Sequence, residues 1–138
     1  MRLLLIVLSL VLAITPTMAQ NLAGHTVMIY DPQHGTQVEY LSQRGRTFLW
    51  YPGNDVVLDG RWKRDGDDLC FQYGENTYNP ATGQQGGGWE CMPFALYAQA
   101  IGERAPGDVF GLAERNRVPF RLDRRRTTLE KLLGRVTN

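Results

Sequence analysis

Gly60-Arg61-Trp62-Lys63-Arg64-Asp65-Gly66-Asp67-Asp68-Leu69-Cys70-Phe71-Gln72-Tyr73 is the stretch that decides the fold. On the approach to it, Val56, Leu58, Gly60 and Trp62 fall on one face, and Val57, Asp59, Arg61 and Lys63 on the other. A period of two is the signature of a strand. Asp65-Gly66 is a strong hairpin signal, because the tight turns that match strand twist need positive φ. Beyond it, Leu69, Phe71 and Tyr73 share one face, while Asp68, Cys70 and Gln72 share the other. The stretch therefore reads as a β-hairpin. Gly60, inside a strand, leaves room for a large neighbour or marks a bulge.

Working outward, the segments before the hairpin have the same character. Thr26 to Tyr30 is rich in β-formers and apolar on both faces, which predicts a buried strand over 24–30. Asp31-Pro32-Gln33-His34-Gly35 breaks it with loop chemistry. In 36–41, Val38 and Tyr40 point one way, Gln37 and Glu39 the other, which predicts one core face and one wet face. A third strand is expected over 46–51, and Pro52-Gly53 suits the centre of a type II turn.

Beyond the hairpin lies a Gly-rich loop, 74–88, that ends in Trp89-Glu90-Cys91. Its length, without structure of its own, is unusual in a compact domain. The segment 94–101 fits a helix (Phe94, Tyr97, Ala98, Ile101) as well as a strand, and periodicity does not choose. Ala105 to Asp108 reads as a turn, 109–112 as a strand, and 118–122 as a late edge strand containing Pro119. Thr127-Thr128-Leu129-Glu130 matches a capping box with Thr127 as N-cap. Leu129, Leu132, Leu133 and Val136 then repeat at helical spacing. The fold class expected is mainly β: an antiparallel meander forming a small open barrel or sandwich, with a short C-terminal helix.

The chain of 138 residues opens with Arg2, an apolar run over 3–14, and small residues at Thr17 and Ala19. This predicts a signal peptide over 1–19, cleaved before Gln20, and hence a periplasmic or secreted protein. The run is shorter than the ~20 residues that span a membrane. The two cysteines, Cys70 and Cys91, should be joined in an oxidising compartment. The net charge of +1 conceals an asymmetry. Residues 20–114 hold six Lys/Arg against twelve Asp/Glu, and residues 115–138 hold eight against two. The mature chain divides on this reading into a β-rich domain over 20–123 and a basic tail with an amphipathic helix over 124–138. Arg124-Arg125-Arg126 either contacts an anionic surface or folds onto the acidic body. Export argues against a nucleic-acid partner.

The exported small size, the Gly60-Arg61-Trp62 strand, the Asp-Gly turn, Cys70 in the next strand and the Trp89-Glu90-Cys91 return together resemble a family of small secreted proteobacterial proteins grouped as a domain of unknown function. The resemblance covers 24–94. It implies export and a β-rich fold, and brings no catalytic residues with it.

Constellations with catalytic chemistry are few. His34 with Asp31 and Glu39 suggests a general base, and thereby a small envelope hydrolase, or a metal ligand, although no His-Cys-carboxylate spacing of a known metal site is present. Asp65, Asp67 and Asp68 surround a turn, but lack the spacing and closing Glu of a calcium loop. There is no Gly-x-Ser-x-Gly and no phosphate loop. No metal or cofactor is expected. The stronger candidate is a binding surface on the 74–88 loop, with Tyr78, Asn76, Asn79 and Trp89 as ligand contacts, because rings beside amides suit a glycan or a peptide. The expectation is a non-enzymatic exported binding module with an envelope glycan or protein partner. Its rivals are an inhibitor that presents the 74–88 loop, and the His34 hydrolase. In a further alternative, the loop plugs the end of the barrel, with Tyr78 and Trp89 buried.

Overall fold

A computed structural model describes residues 21–79 and 84–137, apart from the side chains of Asn79 and Gln84. The signal peptide expected over 1–19 lies outside the described residues. Five strands follow one another as an antiparallel meander: β1 (His25–Asp31), β2 (Gly35–Leu41), β3 (Arg46–Trp50), β4 (Leu58–Asp65) and β5 (Asp68–Tyr73). The turn between β4 and β5 has positive φ at Gly66 and not at Asp67, the pattern of a type II′ hairpin. A short ribbon follows, β6 (Tyr78–Asn79) with β7 (Gln84–Gln85). Next, β8 (Glu90–Pro93) returns beside β5, and helix α1 (Phe94–Ala100) leads into β9 (Ile101–Pro106), which pairs with β1.

The main sheet has the order β8-β5-β4-β3-β2-β1-β9 and curls into a half-barrel. Its two edges, β8 and β9, are joined by α1 alone. Seven helical residues rise only about 10 Å. The edges are therefore drawn close together, and α1 stands where further strands would close a barrel.

Register assigns the two faces. On the inner face Val27 is opposite Glu39, Glu39 opposite Leu49, and Leu49 opposite Leu58. Leu69, Phe71 and Tyr97 continue this face into a core with Leu22, Val27 and Leu41. On the outer face Met28, Val38 and Trp50 lie in line across β1, β2 and β3. The C-terminal segment covers them with Phe110, Leu112, Leu122, Leu129 and Leu132. Trp50 is fully buried, meets Phe110 and Phe120 edge-on, and donates its indole N–H to the Phe120 carbonyl at 3.0 Å.

Several expectations are corrected. The Gln37/Glu39 face of β2 is not wet, because the sheet curls around it: Glu39 is buried. The loop over 74–88 carries the β6–β7 ribbon. Ile101, the end of the ambiguous 94–101 segment, the unassigned residues 102–104, and Ala105-Pro106, expected in a turn, together form an edge strand. Residues 109–112 are not a strand; a 3-10 turn covers Leu112–Glu114. The 118–122 segment buries Leu122 and half-buries Val118 and Phe120 without joining the sheet, and a single bridge from Arg117 to Val56 marks its approach. The ambiguous 94–101 segment is helical through Ala100. In helix α2 (Leu129–Val136), the N-cap is Thr128, not Thr127; its hydroxyl accepts from the Lys131 amide.

The disulfide joins Cys70 and Cys91, which face each other across β5 and β8. It lies on the outer face, as expected, although Cys70 itself is fully buried. The bond fits an oxidising, exported environment. Among the described residues no helix is long and apolar enough to cross a membrane.

Candidate ligand-binding site

The inner face of the half-barrel carries an open cavity of about 330 Å3. A second, of about 280 Å3, adjoins it and shares His34, Gln37, Leu49, Phe71, Tyr73 and Glu90; the first, beside the 74–88 loop, is called the outer cavity, and the second, on the side of Glu39 and Tyr97, the inner cavity. The size suits a small ligand or the end of a larger one. The outer cavity has ring and aliphatic walls from Leu49, Tyr51, Leu58, Phe71 and Tyr73, with amides from Gln33, Gln37 and Gln85 among them. Arg124 and His34 stand at its wall as well.

One rim is the β6–β7 ribbon, which contributes Thr77, Tyr78, Gln85 and Gly86. The glycines of the 74–88 loop explain how the ribbon is held. The Gly86 amide donates to the Thr77 carbonyl at 2.8 Å, and the Gly87 amide to the Tyr73 carbonyl at 2.9 Å. A Cβ on Gly86 would lie 2.0 Å from the Gly74 carbonyl oxygen, so no other residue allows this close return. Gln72 closes the base by donating its side-chain amide to the Gly87 carbonyl.

The inner cavity is bordered by Glu39, which is 7% exposed. Its Oε1 accepts hydrogen bonds from the Thr47 hydroxyl at 2.5 Å and the Tyr73 hydroxyl at 2.5 Å. Its Oε2 accepts from the Tyr97 hydroxyl at 2.9 Å. One acid thereby ties β2 to β3, β5 and α1. Burial raises the Glu39 carboxyl above its usual value of 4.5, and the three hydroxyls pull in the opposite direction. Burial and the neighbouring carboxylate push both tyrosines well above 10.0. Tyr73 reaches Glu39 because Gly60 lies under its ring: a Cβ there would be 2.8 Å from Tyr73 Cδ1 and 2.7 Å from the Gln72 carbonyl oxygen.

The residues expected to bind ligand divide. Tyr78 is 56% exposed and lines the outer cavity. Asn76 is exposed on the same loop and does not line it. Asn79 is in the ribbon, and its side chain is outside the described part. Trp89, 40% exposed, lies under the Lys63 ammonium, 4.8 Å from the ring centroid, away from the cavity. The barrel-plug alternative, which required Tyr78 and Trp89 to be buried, does not hold. His34 lines both cavities, with Asp31 Oδ1 3.4 Å from its Nδ1. That oxygen also accepts the backbone amides of Gln33 and His34. Of the basic run, Arg124 lines the outer cavity, Arg125 pairs with Asp123, and Arg126 lies over the Tyr30 ring. Asp65 pairs with Lys63. Among the described residues no group of three or more His, Cys, Asp or Glu is placed to hold a metal ion.

Sequence reasoning named Glu39 only as a neighbour of His34 and placed it on the wet face of β2, so its burial beside the cavity and its three hydroxyl partners were missed. The signal that bears on it is Gly60, which opens space on the same face for Tyr73. Comparison of the chain with protein families, with characterised proteins and with solved structures finds no match.

Proposed function

We propose that this protein is an exported, non-enzymatic binding module of the cell envelope or exterior, and that its ligand is a glycan held on the inner face of the half-barrel. The observation that carries the reading is the outer cavity itself, where the rings of Tyr51, Phe71, Tyr73 and Tyr78 converge with the amides of Gln33, Gln37 and Gln85. Rings cover the C–H faces of a sugar, and amides exchange hydrogen bonds with its hydroxyls. An extended peptide is bound most simply through main-chain pairing at a strand edge, whereas Leu49, Leu58, Phe71 and Tyr73 line this cavity from paired strands inside the sheet. Tyr78 and the ribbon belong to the proposed contact surface, and Trp89 does not.

The test is a two-dimensional amide NMR titration of the mature chain with mono- and disaccharides of cell-envelope type, alongside short peptides. Saccharides should shift resonances of the ribbon and of β3–β5 residues facing inward. Shifts confined to the outer face, or produced by peptides alone, would sink the glycan reading. Export is tested by N-terminal sequencing of protein recovered from periplasm or medium, where the chain should begin at Gln20.

A hydrolase centred on His34 is the second reading, favoured by the approach of Asp31 to His34 at the cavity wall. Among the described lining residues there is no serine and no free cysteine beside this pair. Release of reducing sugar from a bound oligosaccharide, abolished by His34→Ala, would establish it in place of simple binding.

A further inference from the structure

We propose that the inner cavity selects a ligand bearing a positively charged amine, and that Glu39 is the group that receives it. On the glycan reading, on which this rests for its natural ligand, that means a sugar with a free amino group rather than an N-acetylated one.

Three observations carry the inference. First, Glu39 borders the cavity, and its carboxylate is served only by hydroxyls. None of the salt bridges among the described residues involves it. Burying a carboxylate without a counter-charge is costly, and three hydroxyl hydrogen bonds offset only part of the cost. Second, the acceptor capacity of the carboxylate is unfilled. An ionised carboxylate has about four acceptor positions. Two on Oε1 are taken by Thr47 and Tyr73 and one on Oε2 by Tyr97, which leaves one on Oε2. Third, the surroundings suit a cation. Phe71 stacks near Tyr73, with ring centroids 6.3 Å apart, and meets Tyr97 at 5.4 Å. Phe71, Tyr73 and Tyr97 line the cavity together with Glu39, so an amine there has aromatic walls as well as a counter-charge. Glu90, on the wall common to both cavities, adds a second negative group, while Arg124 lines the outer cavity and not the inner one. A ligand spanning both cavities would therefore place its amine on the Glu39 side, away from Arg124.

The experiment compares matched pairs on the full mature chain by calorimetry or NMR: glucosamine against N-acetylglucosamine, and tyramine against N-acetyltyramine. Acetylation removes the charge and keeps the body of the molecule. At least one amine should bind more tightly than its acetylated partner by on the order of tenfold or more, as a hydrogen bond to a charged group implies. Glu39→Gln, nearly isosteric, should abolish that gap. If Glu39→Gln does not fold, the wild-type pairs still decide, with Glu90→Gln as the control expected to keep most of the gap. Equal or tighter binding of both acetylated partners overturns the proposal, as does a gap that persists in folded Glu39→Gln. Absence of binding by all four compounds overturns it too. A gap in the tyramine pair with no sugar bound would uphold amine selection and remove the glycan reading. Sugars bound without a gap would do the reverse.

Discussion

Tyr97 on α1 donates its hydroxyl to Glu39 Oε2 on β2 at 2.9 Å, between residues 58 apart in sequence. The contact fastens the helix that bridges the sheet edges to the middle of the inner face. A half-barrel lacks the continuous ladder of a closed barrel, so cross-links of this kind replace part of it. Tyr97→Phe keeps the ring packing against Phe71 and deletes the hydrogen bond. It should cost about 1–3 kcal/mol in urea unfolding, and an unchanged midpoint and slope would show that the bond contributes nothing.

The acid at the other end of that bond gives stability a defined pH dependence. The Glu39 carboxyl is raised in the folded protein by burial. Between its unfolded value near 4.5 and its folded value, the native state binds more protons than the unfolded chain. The Glu39 contribution is thus fully present below about 4.5 and is lost as pH rises through the folded value. Asp55 and Asp123 run the other way: hydrogen bonds from Arg121 and Arg125 hold them low, so what they contribute is lost as pH falls. Subtracting the stability of Glu39→Gln from that of wild type isolates Glu39. The difference should decline from pH 4.5 upward and then level off. A difference that rises with pH would contradict a raised carboxyl.

Gly60→Ala tests how tightly the inner face is packed. The added methyl meets the Gln72 carbonyl at 2.7 Å, a backbone atom that cannot swing away, and the Tyr73 ring at 2.8 Å. The expected loss is about 1–3 kcal/mol, the usual range for overpacking. Displacement of Tyr73 should also weaken its bond to Glu39, which NMR can follow at both residues. Gly53→Ala offers a contrast, because a Cβ there has nothing within 4 Å and only its φ of +84° opposes it.

For the disulfide, thiol labelling of unfolded, unreduced protein should find no free cysteine. Cys70→Ala should cost about 2–5 kcal/mol, since the bond closes a long loop and holds the short edge strand β8 against β5. Amide exchange should then rise first in β8. Full labelling of both thiols without reduction would contradict the bond.

Much of the sheet was legible because its local chemistry agrees with its tertiary role. The Asp65-Gly66 hairpin, Gly60 under a large side chain, and alternation in β4 and β5 all point the same way. What the sequence hid depends on distant partners. Residues 101–106 contain Gly, Glu, Ala and Pro, poor strand formers, and are extended because β1 offers them a free edge. The 118–122 segment has the right alternation for a strand, yet its apolar side chains are satisfied by packing on the outer face, and Pro119 has no amide to give a ladder. Glu39 is the sharpest case. A period of two separates the faces of a strand but does not say which becomes the inside of a curled sheet, and here a polar side chain went inward beside three hydroxyl partners drawn from β3, β5 and α1.

Tyr78 separates a rim contact from a structural one. It is 56% exposed, yet it lines the outer cavity from the ribbon. The ribbon is fixed by backbone hydrogen bonds from Gly86 and Gly87 and by the Gln72 side chain, none of which involves the Tyr78 ring. Tyr78→Ala should therefore leave stability within about 0.5 kcal/mol of wild type, as exposed substitutions do. A buried aromatic truncated in the same way would cost about 3–5 kcal/mol. Ligand binding should respond differently. A ring stacked on a ligand contributes about 0.5–1.5 kcal/mol beyond its area, so affinity for a ligand found by the NMR titration should fall several-fold while the melting temperature stays constant. A large drop in melting temperature would return the ring to a structural role. Unchanged stability together with unchanged affinity would take Tyr78 out of the contact surface and leave the cavity's inner residues to carry binding alone.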